Sequence, residues 1–131
     1  MNILDENFPE DQIPKLRTWG IPVRQIGREL SRPGVKDTDI IPLLHRLRHA
    51  TFLTQDKDFF KQALCHLLYC IAYLDVPADD AARYVRRFFR HARFDIEVKL
   101  MGIVARAHHN SIHFWHRHHF ELQEVEWLYI A

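Results

Sequence analysis

The sequence predicts an α/β fold built on a mainly parallel sheet, and three observations lead there. Short apolar runs suited to strands alternate with helix-periodic stretches over about the first hundred residues. One run, Leu67 to Leu74, is almost wholly apolar, which suits a strand buried on both faces. Carboxylates follow two of the runs directly, at Leu4-Asp5-Glu6-Asn7 and at Leu53-Thr54-Gln55-Asp56-Lys57-Asp58-Phe59.

Taken in order, Asn2 to Leu4 reads as a first strand. Pro9 to Trp19 reads as a helix with Ile13, Leu16 and Trp19 on one side, closed by Gly20, with Pro14 delaying or kinking its first turn. Ile21 to Ile26 gives a second strand and Gly27 to Lys36 a loop. Asp37 is expected to cap a helix that buries Ile40, Leu44 and Leu47. Ala50 to Thr54 is the third strand, a short helix spans Phe59 to Leu64, and the fourth strand ends at Asp75 and Pro77. Ala78 to Ala92 is the clearest helix, with Asp79 and Asp80 favouring the positive end of its dipole. Ile103 to Ala107 and Ile112 to His116 form a closing β-hairpin. Strand and helix alternate in a way that expects the sheet to be covered on both faces.

A chain of 131 residues, 47% of them apolar, can build one substantial core. It reads as a single domain over 1–131, with about 117–131 as a C-terminal tail. Its 18 basic and 17 acidic residues give a net charge of +1, so any nucleic-acid signal must be local. Cys65 and Cys70 lie in an apolar stretch and read as reduced core thiols, which points to the cytoplasm. The acidic start, Met1-Asn2-Ile3-Leu4-Asp5, does not resemble a secretory leader. Leu67 to Leu74 falls well short of the roughly 20 apolar residues that span a bilayer, so no membrane association is expected.

Acids placed just beyond strand ends are the main functional signal. In open α/β sheets, ligands bind beyond the carboxyl ends of the strands, so Asp5 and Asp56 can converge although they are far apart in sequence. Hard cations such as Mg²⁺ take oxygen ligands and are commonly held by one or two carboxylates, with water and substrate phosphate completing the shell. The leading expectation is metal-assisted chemistry on a phosphate ester.

Leu4-Asp5-Glu6-Asn7-Phe8-Pro9, then Leu16-Arg17 and Trp19-Gly20, then Gly34-Val35-Lys36-Asp37-Thr38-Asp39-Ile40, then Leu53 to Phe59 resembles a small PIN-like family of compact prokaryotic proteins. That family is related to the PIN-domain nucleases, which include VapC-type toxins. The resemblance covers about the first sixty positions well and the remainder more loosely. It implies a PIN-like three-layer αβα sandwich with a mainly parallel central sheet and a C-terminal β-hairpin. It also implies an acidic pocket for Mg²⁺ or Mn²⁺ and, in active members, hydrolysis of RNA phosphodiesters.

By position, the resemblance assigns catalytic roles to Asp5, Asp37, Asp56 and Asp58, with Asp39 a rival to Asp37 and Glu6 a peripheral ligand. Asp5 and Asp56 would ligate the metal directly; Asp58 and either Asp37 or Asp39 would complete the pocket or orient water. Gln55 stands where the family usually shows a basic or small polar residue, and Lys57 where Arg also occurs. Arg24, Arg28, Arg32 and Lys57 are expected nearest the pocket and are the candidates for holding substrate. The implied role is an endoribonuclease, the toxin of a toxin–antitoxin pair, with RNA and an antitoxin protein as partners. The alternative is a catalytically inactive PIN-like protein that has kept the fold for protein interaction.

Blander readings accompany each acid. Asp56 and Asp58 also suit a turn after a strand, Asp5 could simply solvate a strand end, and Asp37 reads as a helix cap whichever function holds. Clustered carboxylates repel, so at least one should have a raised pKa without metal. Arg83, Arg86, Arg87 and Arg90 recur at helical spacing and suit either an RNA backbone or a solvated, partner-facing surface. The histidines from His108 to His119 invite zinc, but strand alternation directs them apart and favours exposed hairpin and tail histidines. Ser31 and Ser111 lack a nucleophile elbow and no glycine-rich phosphate loop is present. Ile112, Phe114, Trp115, Trp127, Leu128 and Tyr129 suggest an apolar surface for a homodimer.

Overall fold

The computed structural model describes residues 1–127. It is an α/β protein with one seven-stranded sheet, in the order β2-β1-β3-β4-β5-β6-β7. The strands are β1 (Asn2–Leu4), β2 (Arg24–Gln25), β3 (Ala50–Thr54), β4 (Tyr69–Asp75), β5 (Ile103–His108), β6 (Ser111–His116) and β7 (His119–Glu126). The first five run parallel, and β6 and β7 are added antiparallel. The helices are α1 (Ile13–Thr18), α2 (Asp37–Arg46), α3 (Ala81–Arg90) and the one-turn α4 (Glu97–Leu100).

Side-chain alternation divides the interior into two cores. Leu4, Leu53, Ala72 and Ala105 point to the face packed by α1 and α3, through Leu16, Val85 and Phe88. Ile3, Phe52, Ile71 and Val104 point the other way, onto Ile40, Leu43 and Leu44 of α2 and onto Phe59. All five residues of β3 are buried, Thr51 and Thr54 among them, as suits a strand covered on both faces. Among the described residues, no helix is long and apolar enough to cross a membrane.

Several expectations need correction. The second strand is only Arg24–Gln25: the Ile21 amide donates to Leu16 at the end of α1, Pro22 has no amide, and the Pro22 carbonyl accepts from the Asn2 side chain. The Pro9–Trp19 helix begins as a 3₁₀ turn, Glu10–Gln12, and becomes α-helical only at Ile13, with Pro14 accommodated in its first turn. The helix at 59–64 is replaced by two 3₁₀ turns, Lys57–Phe59 and Gln62–Leu64. Asp37 is the first residue of α2, not its cap; Lys36 holds that position.

The C-terminal correction is larger. Residues 119–126, expected as tail, form β7, so the hairpin is a three-stranded antiparallel extension. Between β6 and β7 the register slips: Phe114 faces Gln123, but His116 faces His119, so 120–122 leave the ladder as a bulge. The sheet is also not covered over its whole width. On the α2 side Val104 is fully buried, but Arg106, His113 and Trp115 are half-buried and Glu124 is exposed, so the cover thins from the end of β5 to β7. Ile112, Phe114 and Trp127 belong to the core rather than to an exposed dimer surface. Leu128 and Tyr129 lie outside the described residues.

Candidate active site

The parallel strands end together and bring their terminal acids into one row. Leu4 of β1 is in register with Leu53 of β3, Thr54 with Tyr73 of β4, and Asp75 with His108 of β5. Asp5, Asp56 and Asp75 therefore follow one another along the carboxyl edge of the sheet, where α/β proteins place their ligands.

Thr54, fully buried at the end of β3, links two of these acids. Its hydroxyl donates to Asp5 Oδ2 at 2.6 Å and accepts from the Asp56 amide at 3.0 Å. Asp56 in turn accepts from the Asp58 amide at 2.9 Å, opening the Lys57–Phe59 turn. The turn-forming reading of Asp56 therefore describes a real contact, made by one of its two oxygens. Burial pushes the Asp5 carboxyl above the usual carboxylate range. The Thr54 hydroxyl and the amides of Glu6 and Asn7 oppose that shift, and the charge of Asp37 adds to it.

Asp37 is thus close enough to act on Asp5, and its side chain makes no capping bond in α2. Asp39 instead lines a neighbouring cavity with Arg32, Lys36 and Arg46. Glu6 fixes the 27–36 loop, because its carboxylate accepts from the Gly34 amide at 2.9 Å and lies against Gly27. The Gln25 side chain ties the same corner by donating to the Asp5 and Glu6 carbonyls.

Sequence reasoning assigned no site role to Thr54, Asp75 or Arg106. Asp75 accepts from Arg106 Nε at 2.8 Å and ion-pairs with Nη2 at 2.6 Å. Burial alone would raise Asp75, but the bonds and charge of Arg106 outweigh it and hold the carboxyl below its ordinary value. Gln55 bridges the ends of β3 and β4 by donating to the Val76 carbonyl at 2.8 Å. An acid at the last position of an apolar run was the available signal for Asp75.

Of the expected substrate cations, Lys57 lies in a cleft with Asp58, Tyr73, Asp75 and Arg106, and Arg32 lines the Asp39 cavity. Arg28 is ion-paired with Glu10, and Arg24 is exposed on the edge strand β2. The α3 arginines are largely engaged: Arg83 pairs with Asp80 at 3.1 Å, Arg86 lies 3.8 Å over Trp19, and Arg87 packs against Tyr84 and Trp127. Cys65 and Cys70 belong to opposite cores, and burial raises both thiols.

Among the described residues, no three His, Cys, Asp or Glu side chains converge as a ready-made metal cage. The donor chemistry at Asp5, Asp37 and Asp56 is all carboxylate oxygen, which fits a Mg²⁺ that keeps most of its waters and uses one or two carboxylates. Burial is the main cause of the raised Asp5, with the charge of Asp37 adding to it. Comparison with family models, with curated proteins and with solved structures finds no match to this chain.

Proposed function

We propose that this chain is a metal-dependent endoribonuclease of PIN-like type, hydrolysing RNA phosphodiesters at the carboxyl edge of its sheet. The observation that carries the reading is the half-buried Asp5, whose ionised form burial and the charge of Asp37 disfavour, held by a Thr54 hydroxyl that also accepts from the backbone amide of Asp56. A carboxyl whose ionised form is destabilised by burial and a like charge gains most from a bound cation.

In this reading Asp5, Asp56 and Asp37 would hold Mg²⁺ or Mn²⁺. The ion, when bound, neutralises phosphate charge and lowers the pKa of the attacking water. Thr54 fixes the orientation of Asp5, so the carboxylate is positioned before substrate arrives. Lys57, exposed beside the acids, takes a phosphate oxygen, and Asp58 orients water. Arg32, in the next cavity, takes the phosphate on the other side. Within the resemblance, the role is that of a toxin neutralised by an antitoxin protein.

The rival, an inactive PIN-like interaction module, draws support from two contacts. Asp75 is clamped by Arg106, and Asp56 spends an oxygen on its own turn. Titrating Mg²⁺ and Mn²⁺ into the protein and into an Asp5→Asn/Asp56→Asn variant, with cleavage of a mixed RNA pool followed in parallel, separates the two. The nuclease reading expects metal-dependent cleavage that the variant lacks. Well-folded protein that neither binds metal nor cleaves decides for the module.

A further inference from the structure

Beside the row of acids, on the partly covered part of the sheet, lies a cleft lined by Lys57, Asp58, Phe60, Lys61, Tyr73, Asp75 and Arg106. It shares Asp58 and Asp75 with the acidic edge, and adds three cations and two aromatic rings, with Asp75 already paired by Arg106. Tyr73 and Arg106 are directly opposite each other on β4 and β5, so both project from the face that α2 leaves uncovered. Phe60 reaches over them from the end of the Lys57–Phe59 turn, between Tyr73 and Trp115, with ring centroids 6.4 Å from each. The tilts are 36° and 34°, so neither pair is stacked face to face, and Phe60 and Tyr73 are only half-buried. Lys57 and Lys61 are exposed at the rim.

Aromatic faces interleaved with cations are what an unpaired nucleotide requires: a π-face for the base and positive charge for the phosphate. Within a duplex the base faces are already stacked on their neighbours and cannot use the rings. We propose that this cleft is a nucleotide-binding subsite, in which one unpaired base stacks on Phe60 and Tyr73 while Lys57 and Lys61 hold the adjoining phosphate. The assignment deepens the nuclease reading and rests on it for its place in a reaction. There the nucleotide next to the cleaved bond is anchored on the β4–β5 side of the acids. Arg106, now bound to Asp75, is within the same cleft and competes between that carboxylate and the incoming phosphate.

Binding and cleavage test separate parts of this. Fluorescence anisotropy of a labelled RNA of about eight nucleotides, single-stranded or annealed, is measured with EDTA present so that no metal contributes. The single strand should bind more tightly than the duplex. Tyr73→Ala and Phe60→Ala should each weaken it roughly 5- to 100-fold, the range found when a stacking ring is removed. Tyr73→Phe, which keeps the ring, should bind as wild type does, and thermal melting of each variant identifies any that fails to fold. Equal affinity for strand and duplex, or wild-type affinity in folded Tyr73→Ala, overturns the subsite. Cleavage of the same RNA by wild-type protein with Mg²⁺ is scored apart: ring-dependent binding without cleavage sustains the subsite and removes the nuclease reading, and cleavage unaffected by Tyr73→Ala does the reverse.

Discussion

Burial and a neighbouring carboxylate act on Asp5 in the same direction, and pH reads the consequence. The folded protein holds the Asp5 proton more tightly than the unfolded chain does, so stability falls as pH rises through the raised pKa. Below the ordinary carboxylate value both states are protonated and the difference vanishes. Asp5→Asn, which cannot ionise, should therefore melt above wild type at neutral pH, with the gap closing below about pH 4. Calorimetry across that range checks this, and a gap independent of pH would sink it. Asp75 carries the opposite sign. Its depressed pKa gives stability that is present above the ordinary carboxylate range and is lost as pH falls through the folded value. Arg106→Gln should flatten that acid-side loss. The positions of Asp5 and Asp56 just beyond neighbouring strand ends were legible because each follows an apolar run closely. The Asp75–Arg106 pair was hidden because its members are 31 residues apart and meet only through the register of β4 and β5.

Single contacts hold neighbouring elements together at two places. The buried Gln12, in the 3₁₀ turn before α1, accepts from the Ala82 amide in the first turn of α3 at 3.0 Å. That amide has no partner within its own helix, so Gln12→Ala should cost about 1–3 kcal/mol in urea unfolding. At Gly27, where φ is +89°, an added Cβ would lie 2.7 Å from Glu6 Oε2. Gly27→Ala should cost about 1–3 kcal/mol. Part of this should be recovered in a Glu6→Ala background, a coupling that a double-mutant cycle measures. Strands β3 and β5 and helix α3 were legible to within a few residues, because their apolar spacing matches their burial. Strand β7 was not. Its apolar residues fall at Phe120 and Leu122 and then at Val125 and Trp127, so no single alternation runs through it.

For the molecule as a whole, the α/β class and parallel sheet followed from alternation of strand and helix, a property of long stretches that small boundary errors do not disturb. The partial exposure of one face toward β6 and β7 did not follow, because half-buried residues on it such as Tyr73 and Trp115 are aromatic and read as core. The proposed ion gives a global prediction. Mg²⁺ bound only by folded protein should stabilise wild type by about 2.7 kcal/mol at a hundredfold excess over its Kd, and Asp5→Asn/Asp56→Asn by much less. Thermal melts with and without the ion, at fixed ionic strength, measure it. The irregular course of β7 has a different consequence. A sheet that ends in a straight, apolar strand invites a second chain to continue it. Here Phe120, at 91% exposure, stands in a segment that has left the ladder, and the regular part beyond it carries Glu124 and Glu126. The kink and the like charges make β7, the last strand among the described residues, a poor template for edge-to-edge pairing.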